Sequence, residues 1–353
     1  MARLPELPPL ARARRIVRLA RRGDPMSIVR EAMRIGGAEE GEAHPKRRAS
    51  ASPKRQAEGA SSPRSAHVRA RAKVRTAAPE LPEGARWEWR VHAGPHGSRR
   101  YRLYVPARAS GAAGAPRPLL VMLHGCTQDP DDFAVGTRIL AAAERHGVVV
   151  ALPEQPRDAN PMGCWNWFEP AHQGRRGEPG IIAGIAEDVI RAESIDARRV
   201  FAAGLSAGGA MAAVLAETHG DVFAAVGVHA GLPHGAARDV ASAMAVMRGG
   251  AVPPATRRTD GPRLFVMHGD ADTTVAPANA EALLAGLAGE RRRRTVDGAA
   301  VTTVHEPGGR ALAESWRVPG LGHAWSGGDP KGSHAAARGP DATARMLRFF
   351  LEG

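Results

Sequence analysis

The sequence predicts an α/β fold with a mainly parallel, doubly wound sheet. Short apolar runs with the length of strands alternate along the chain with stretches long enough for helices. A serine between glycines, in the segment 204–208, also lies directly between one such run and one such stretch. The chain has 353 residues, 43% of them hydrophobic, and can therefore bury a substantial core.

Two kinds of strand are predicted. Residues 86–92 and 101–105 alternate polar and apolar side chains, and the Gly-Pro-His-Gly segment 94–97 predicts a turn between them. We expect these two to form a half-exposed antiparallel pair. The other predicted strands are continuous apolar runs, which suit central strands covered by helices on both faces. These runs are 119–123, 148–152, 200–203, 223–228, 264–267 and a last strand that ends near Val318.

Helices are predicted at about 131–146, 180–195, 207–219, 277–288 and 341–351. Helices that alternate with strands are the crossover connections that a parallel sheet requires. Residues 81–353 are therefore predicted to form a single α/β domain.

Residues 1–80 are predicted to form a separate basic extension. Residues 1–75 hold 19 Lys and Arg but 7 Asp and Glu, and so carry +12 of the total charge of +13. Residues 10–35 have apolar residues at helical spacing around an Asp24-Pro25 break, and 36–80 have the composition of a disordered linker. The extension either contacts an acidic surface, granule or membrane, or is solvated without a specific partner. Because the rest of the chain is nearly neutral, no nucleic-acid partner is expected.

The compartment and the oligomeric state are left open by the sequence. No segment has the roughly 18 continuous apolar residues of a membrane span. Arginine interrupts each apolar run near the N-terminus, so no secretory signal is apparent. The two cysteines, Cys126 and Cys164, do not have the spacing of a zinc motif.

The segment Gly-Leu-Ser-Ala-Gly at 204–208 marks Ser206 as a candidate nucleophile. A serine hydroxyl reacts only when it is exposed beside a base, and a sharp strand-to-helix turn achieves this exposure. Flanking glycines relieve the crowding of that turn, and the helix start directs free N–H groups at developing negative charge. A close-packed helix start without chemistry is the alternative interpretation.

Candidates for the acid and the base follow Ser206 in the chain. Asp270 and Asp272 both lie after the strand at 264–267, and we favour Asp272 as the acid, with Asp270 as a turn-forming residue. We expect His323, in the loop after the last strand, to be the base. His305 and His334 are the rivals, each interpreted as a surface histidine.

An oxyanion hole is predicted from two backbone amides. One belongs to Ala207, directly after the nucleophile, and the other to Cys126, in the loop after the strand at 119–123. An ordinary strand-to-helix loop is the alternative for the second site. This chemistry requires no metal and no organic cofactor.

Together these motifs resemble the polyhydroxybutyrate depolymerase family of esterases, which is similar to feruloyl and acetylxylan esterases. The resemblance implies an α/β-hydrolase fold and a serine esterase with a Ser206, Asp272 and His323 triad. It covers most of residues 100–350. The shared segments are His-Gly-Cys-Thr-Gln (124–128), Pro-Glu-Gln (153–155), Cys-Trp-Asn-Trp-Phe (164–168), Gly-Leu-Ser-Ala-Gly-Gly-Ala-Met (204–211), His-Gly-Asp-Ala-Asp-Thr-Thr-Val (268–275) and Gly-His-Ala-Trp-Ser-Gly-Gly (322–328).

The resemblance implies a poly(3-hydroxybutyrate)-type polyester or its oligomers as substrate, and family members often act outside the cell. Because neither an export signal nor an appended polymer-binding domain is apparent, we expect soluble oligomers, amorphous polymer or small acyl esters. A feruloyl or acetylxylan esterase is the alternative enzyme. A non-catalytic granule- or surface-binding protein that uses the basic extension is the alternative from another class.

The resemblance also implies roles for cysteines and aromatic residues. Cys126 and Cys164 fall in two shared segments and either form a disulfide or remain two buried thiols. Aromatic residues make up only 4% of the chain, yet several lie in the shared segments. Some of them are expected to line the acyl-binding cleft, with core packing as the alternative. These residues are Trp165, Trp167, Phe168 and Trp325.

Overall fold

The computed structural model describes residues 81–108, 114–250 and 261–352. The predicted extension at 1–80 lies outside these residues. Within them, no helix is both long enough and apolar enough to cross a membrane.

A ten-stranded sheet forms the centre of the fold, in the order β1-β2-β4-β3-β5-β6-β7-β10-β9-β8. The six strands from β4 to β10 in this order are parallel, so the predicted, mainly parallel sheet is confirmed. The strands are β1 (Arg86–Gly94), β2 (Gly97–Val105), β3 (Arg117–Leu123), β4 (Val149–Pro153), β5 (Ile195–Leu205), β6 (Ala225–His229), β7 (Arg263–Gly269), β8 (Glu290–Val296), β9 (Ala299–His305) and β10 (Ala311–Val318). A separate parallel pair consists of β11 (Trp325–Ser326) and β12 (Ala335–Ala336).

Antiparallel strands form both edges of the sheet. At one edge, β1 and β2 make the predicted hairpin, in which Gly94 pairs with Gly97. At the other edge, β8 and β9 form a hairpin that the sequence analysis missed. The sequence of β8 is Glu-Arg-Arg-Arg-Arg-Thr-Val, and all its residues but the last are exposed. An exposed edge strand carries no apolar alternation by which it could be recognised.

Helices cover both faces of the sheet, as a doubly wound fold requires. Successive side chains of β3 point to opposite faces: Leu119 and Val121 pack on one side, Leu120 and Met122 on the other. The helices are α1 (Pro130–Thr137), α2 (Ile139–His146), α3 (Glu178–Ala192), α4 (Ala207–Thr218), α5 (Val240–Met247), α6 (Ala278–Ala285) and α7 (Ala342–Leu351). Buried residues of α1, α2 and α7 pack on one face, and those of α3 to α6 on the other.

One helix prediction was wrong, and one helix was missed. The single helix expected at 131–146 is broken at Arg138, whose φ of 55° is left-handed. At the end of α1, two carbonyls accept hydrogen bonds from outside the helix: that of Gly136 from the Asp329 amide at 2.9 Å, and that of Thr137 from the Thr343 hydroxyl at 2.6 Å. Helix α5 was not predicted, although Asp239 and Ser242 cap it reciprocally.

Candidate active site

The sharp turn between β5 and α4 presents Ser206. Its backbone has φ 57° and ψ −119°, a strained conformation for a residue with a side chain. The glycines around it are required by packing, since a Cβ would lie 2.4 Å from the Gly208 carbonyl carbon at Gly204, and 2.1 Å from the Leu123 carbonyl oxygen at Gly208. The Ser206 side chain does not cap α4. Its hydroxyl is therefore free to meet a residue from another loop.

His323 lies between Ser206 and Asp272. Its Nε2 is 2.8 Å from Ser206 Oγ, and its Nδ1 is 2.7 Å from Asp272 Oδ2. With Nδ1 protonated, the imidazole donates to the carboxylate and accepts from the hydroxyl. The three residues follow the carboxyl ends of β5, β7 and β10, which meet at one edge of the sheet. The structure thus brings together the predicted nucleophile, base and acid.

Asp272 is buried, and both of its carboxylate oxygens accept hydrogen bonds. Its Oδ1 accepts hydrogen bonds from the amides of Thr274 and Val275, at 2.8 and 2.9 Å. His268 Nε2 lies 3.4 Å from Oδ2 and 2.9 Å from the Val275 carbonyl oxygen. Burial alone raises the pKa of Asp272, but the bonds from His268 and His323 and the charge of His323 outweigh it, and the pKa lies well below its usual value. The carboxylate therefore stays ionised beside the imidazole.

The rival residues occupy other environments. Asp270 is exposed and accepts a hydrogen bond from the Gly320 amide at 2.6 Å, as a turn-forming residue does. His305 bonds the Gly309 carbonyl at the end of β9. His334, in contrast, is half-buried and lines the same cavity as Ser206, so its interpretation as a surface histidine was wrong. The sequence offered no signal, because the loop around it is rich in small polar residues.

The loop after β3 presents the amide of Cys126 beside the nucleophile. Its neighbours are bonded within the protein: the Gly125 amide donates to Gln128 Oε1 at 2.9 Å, and the Thr127 amide to the Met162 carbonyl at 2.7 Å. No partner for the Cys126 amide is found within the described parts of the chain. The Ala207 amide is the first of α4, and such amides have no partner inside the helix. Both amides can donate a hydrogen bond to a negatively charged oxygen.

A disulfide between Cys126 and Cys164 joins the loop after β3 to the segment 164–168. The buried carboxylate of Glu178 holds that segment from behind, since both the amide and the side-chain nitrogen of Asn166 donate to it at 2.8 Å. Trp165 Nε1 donates to the His124 carbonyl at 3.1 Å. Burial lowers the pKa of His124, whose neutral ring accepts from the Gln155 amide. The sequence analysis missed Glu178, a charged residue without a motif.

The cavity at Ser206 has a volume of about 120 Å³ and a largely apolar wall. Pockets for drug-sized ligands typically measure about 300–1,000 Å³, so this space suits a short acyl group. Thr274, His323 and His334 contribute polar groups. The apolar wall comes from Met162, Trp167, Phe168, Leu232 and Met247.

Two of the three tryptophans predicted for the cleft do not line it. Trp165 is 0% exposed and Trp325 is 2% exposed, and both pack in the core. The Trp325 ring stacks on that of His229, with centroids 4.9 Å apart, and its Nε1 donates to Thr343. Trp167 does line the cavity, as does Phe168. Sequence position alone does not distinguish a residue in a cavity wall from one directly behind it.

His229 connects the nucleophile turn to the loop that follows His323. Its carbonyl accepts from the Ser206 amide at 2.9 Å, and its Nε2 accepts from the Ser326 amide at 3.1 Å. Burial, followed by the charges of His268 and His323, lowers the pKa of His229 to about 3. The ring is therefore neutral in the folded protein. It was not singled out from the sequence, where it lies outside the recognised motifs.

The chain is similar in sequence to known esterases. The sequence model of the family described as Esterase PHB depolymerase matches residues 99–291. The chain is 31% identical over 229 residues to poly(3-hydroxyalkanoate) depolymerase C of Paucimonas lemoignei, covering 59% of this chain and 55% of that protein. It is 32% identical over 147 residues to feruloyl esterase B of Neurospora crassa, covering 41% of this chain and 48% of that protein. The chain thus spans about half the length of these curated relatives.

A solved structure supports the fold. The acetyl xylan esterase from Aspergillus awamori superposes with a TM-score of 0.59 at 19% identity, covering 75% of this chain and 98% of that one. At this identity the similarity concerns the fold alone.

Proposed function

The chain belongs to the esterase PHB depolymerase family, and on this premise we propose that it is a serine ester hydrolase with Ser206 as nucleophile. Its fold is that of the α/β-hydrolases, as the relatives and the solved esterase indicate. The observation that carries the proposal is the hydrogen-bonded triad of Ser206, His323 and Asp272, of which Ser206 and His323 line an apolar cavity. This arrangement is the constellation by which a serine is activated.

In the proposed first step, Ser206 Oγ attacks the ester carbonyl carbon while His323 Nε2 takes the hydroxyl proton. The ionised Asp272 holds the imidazole in the required tautomer and stabilises its positive charge. The ester C–O bond then breaks, His323 gives its proton to the leaving alcohol, and an acyl-enzyme remains. Water deprotonated by His323 attacks the acyl-enzyme, and the acid leaves as Ser206 regains its proton.

We assign the oxyanion hole to the amides of Cys126 and Ala207. The carbonyl oxygen becomes negatively charged in each tetrahedral intermediate, and these two amides, which have no partner among the described residues, can stabilise that charge. The disulfide and the bonds of His124 hold the first of these amides in place. Rigid donors need little reorganisation when the charge develops.

We propose a poly(3-hydroxybutyrate)-type polyester or its oligomers as the substrate. The Paucimonas relative carries this kind of activity in its name, and the small apolar cavity suits a short aliphatic acyl group. The feruloyl esterase relative keeps the predicted alternative, a feruloyl or acetylxylan ester, as the second candidate.

A substrate panel separates these candidates. Purified protein is given 3-hydroxybutyrate trimer, methyl ferulate and acetylated xylan, with Ser206→Ala as the matched control, and acid release is measured. We expect kcat/KM to be highest for the trimer and to vanish in the control. A higher kcat/KM for methyl ferulate or acetylated xylan would replace the polyester assignment.

The alternative of a non-catalytic granule- or surface-binding protein makes a different set of predictions. It predicts no labelling by a fluorophosphonate probe, and binding that disappears when residues 1–80 are removed. We propose instead that residues 81–353 form the catalytic domain. We therefore expect labelling to persist after that removal.

A further inference from the structure

A second histidine, His334, lines the cavity that contains Ser206 and His323. It immediately precedes β12, and the proposed mechanism does not use it. The wall of this cavity is largely apolar, and in such pockets a few placed polar groups provide specificity.

The backbone that presents His334 is strained and firmly held. Its φ of 52° is left-handed, which is uncommon for a residue with a side chain. Its carbonyl accepts from the Trp325 amide at 2.7 Å. The preceding residue, Ser333, is bound on both sides: its amide donates to Asp132 at 2.9 Å, and its carbonyl accepts from Gln128 Nε2 at 2.9 Å. Strain that the surrounding contacts maintain is typical of functional positions.

The imidazole of His334 is neutral and has no partner in the chain as described. Burial lowers its pKa, and the charge that His323 takes on lowers it further, against a weaker opposing effect of Asp132. No hydrogen bond joins the ring to any part of residues 81–108, 114–250 or 261–352. A neutral imidazole carries one N–H donor, and in His334 this donor is available to a molecule in the cavity.

His334 and the base His323 line the same cavity, and we therefore place His334 on the side of the site that the alcohol portion of an ester occupies. The base of a serine hydrolase passes its proton to the leaving alcohol, so groups beside the base face the alcohol portion. In a polyester of 3-hydroxy acids, that portion carries a further carbonyl two carbons from the scissile oxygen. A simple alkyl ester has only methylenes there.

We propose that His334 is a specificity-determining residue that donates a hydrogen bond to the carbonyl in the alcohol portion of a hydroxyacyl ester. This inference rests on the proposed serine ester hydrolysis at Ser206. It adds to that function a basis for substrate choice: the enzyme recognises the monomer unit on the alcohol side of the scissile ester as well as the acyl group.

Two butanoate esters of matched shape test this recognition. Methyl 3-(butanoyloxy)butanoate has the carbonyl in its alcohol portion, and hexan-2-yl butanoate has methylene groups in place of that carbonyl and the following oxygen. Butanoate release gives kcat/KM for each ester. The ratio of the two values, compared between wild type and variants, cancels effects common to both substrates, including any loss of folded protein.

The variants must accept a left-handed backbone. His334→Gly removes the ring and relieves the strain, and His334→Asn keeps a donor in a residue that tolerates this conformation. Loss of one neutral hydrogen bond should reduce the ratio about tenfold in His334→Gly. His334→Asn should retain a ratio closer to that of wild type.

An unchanged ratio in His334→Gly, in a protein whose wild type cleaves both esters, would overturn the role of His334 and leave the esterase assignment intact. A wild type that cleaves hexan-2-yl butanoate but not the hydroxybutanoate ester would instead overturn the polyester substrate, and this inference with it. A wild-type protein that cleaves neither ester would contradict the proposed serine ester hydrolase activity.

Discussion

Asp272 Oδ2 lies 2.7 Å from His323 Nδ1, and the carboxylate is fixed independently of that bond. The amides of Thr274 and Val275 hold its other oxygen, and the group is only 5% exposed. The carboxylate is therefore positioned by its own turn, and the imidazole is oriented against it. Because Asp272 is held by its own turn, its effect on activity can be measured separately from its effect on the fold.

Replacing Asp272 by Asn should lower kcat on the order of 10⁴-fold, because the amide no longer selects the active tautomer of His323 or stabilises its charge. Hydrolysis of p-nitrophenyl butyrate measures this loss. Asp270→Asn is the matched control: Asp270 is exposed and its side chain accepts from the Gly320 amide, so activity should stay within about threefold of wild type. The reverse ranking of the two variants would assign the acid to Asp270.

The neutral, buried His229 should make stability depend on pH. The unfolded chain binds a proton at this histidine below about pH 6.5, whereas the folded protein keeps it unprotonated down to about 3. Because the unfolded state binds more protons in this window, the free energy of unfolding should fall as the pH drops from about 6.5 towards 3.

Urea unfolding of His229→Gln across this range checks the prediction, since Gln retains an acceptor for the Ser326 amide. The decline should be shallower than in wild type. His146→Gln, at an exposed position, should parallel wild type. Parallel curves for wild type and His229→Gln would show that His229 titrates alike in both states.

Removing the disulfide with the double variant Cys126→Ala and Cys164→Ala should lower the free energy of unfolding by about 2–4 kcal/mol, since the bond closes a long loop. The two residues are 38 positions apart. Urea unfolding gives the value, and dithiothreitol should affect wild type but not the variant. Two free thiols per chain in denatured, unreduced protein would disprove the bond.

Trp167 and Trp325 should respond differently to replacement by Ala. Trp167 lines the cavity, so its loss should alter KM across p-nitrophenyl esters of increasing acyl length. Trp325 is buried against His229, so its loss should cost about 3–5 kcal/mol of stability. A chain-length profile and a urea titration measure the two effects. A KM profile that changes for Trp325→Ala alone would reverse the assignment.

Much of the architecture could be predicted because the pattern of apolar residues indicates which strands and helix faces are buried. The parallel strands are continuous apolar runs, and the chain order of Ser206, Asp272 and His323 follows from the order in which β5, β7 and β10 end. Elements that are exposed or are held by polar contacts could not be predicted in this way. The β8 strand is exposed along most of its length, and the break at Arg138 depends on bonds to a loop almost 200 residues later.

Within the site, the sequence identified the reacting residues more reliably than the residues that line the cavity. The Gly-Leu-Ser-Ala-Gly motif identifies Ser206 as a nucleophile. No local sequence pattern, however, indicates that His334 lines the cavity or that Trp325 lies behind its wall. Their positions follow from how the loops after β10 fold back onto α1 and the nucleophile turn. Such long-range contacts are determined by the whole fold and not by neighbouring residues.

Mass spectrometry of the protein after reaction with a fluorophosphonate probe, together with the rate of p-nitrophenyl butyrate hydrolysis, tests the central role of Ser206 most directly. The account predicts one adduct, on the peptide that contains Ser206. It also predicts that Ser206→Ala loses both the adduct and, on the order of 10⁴-fold or more, the rate. A Ser206→Ala protein that hydrolyses the ester at the wild-type rate would contradict the account.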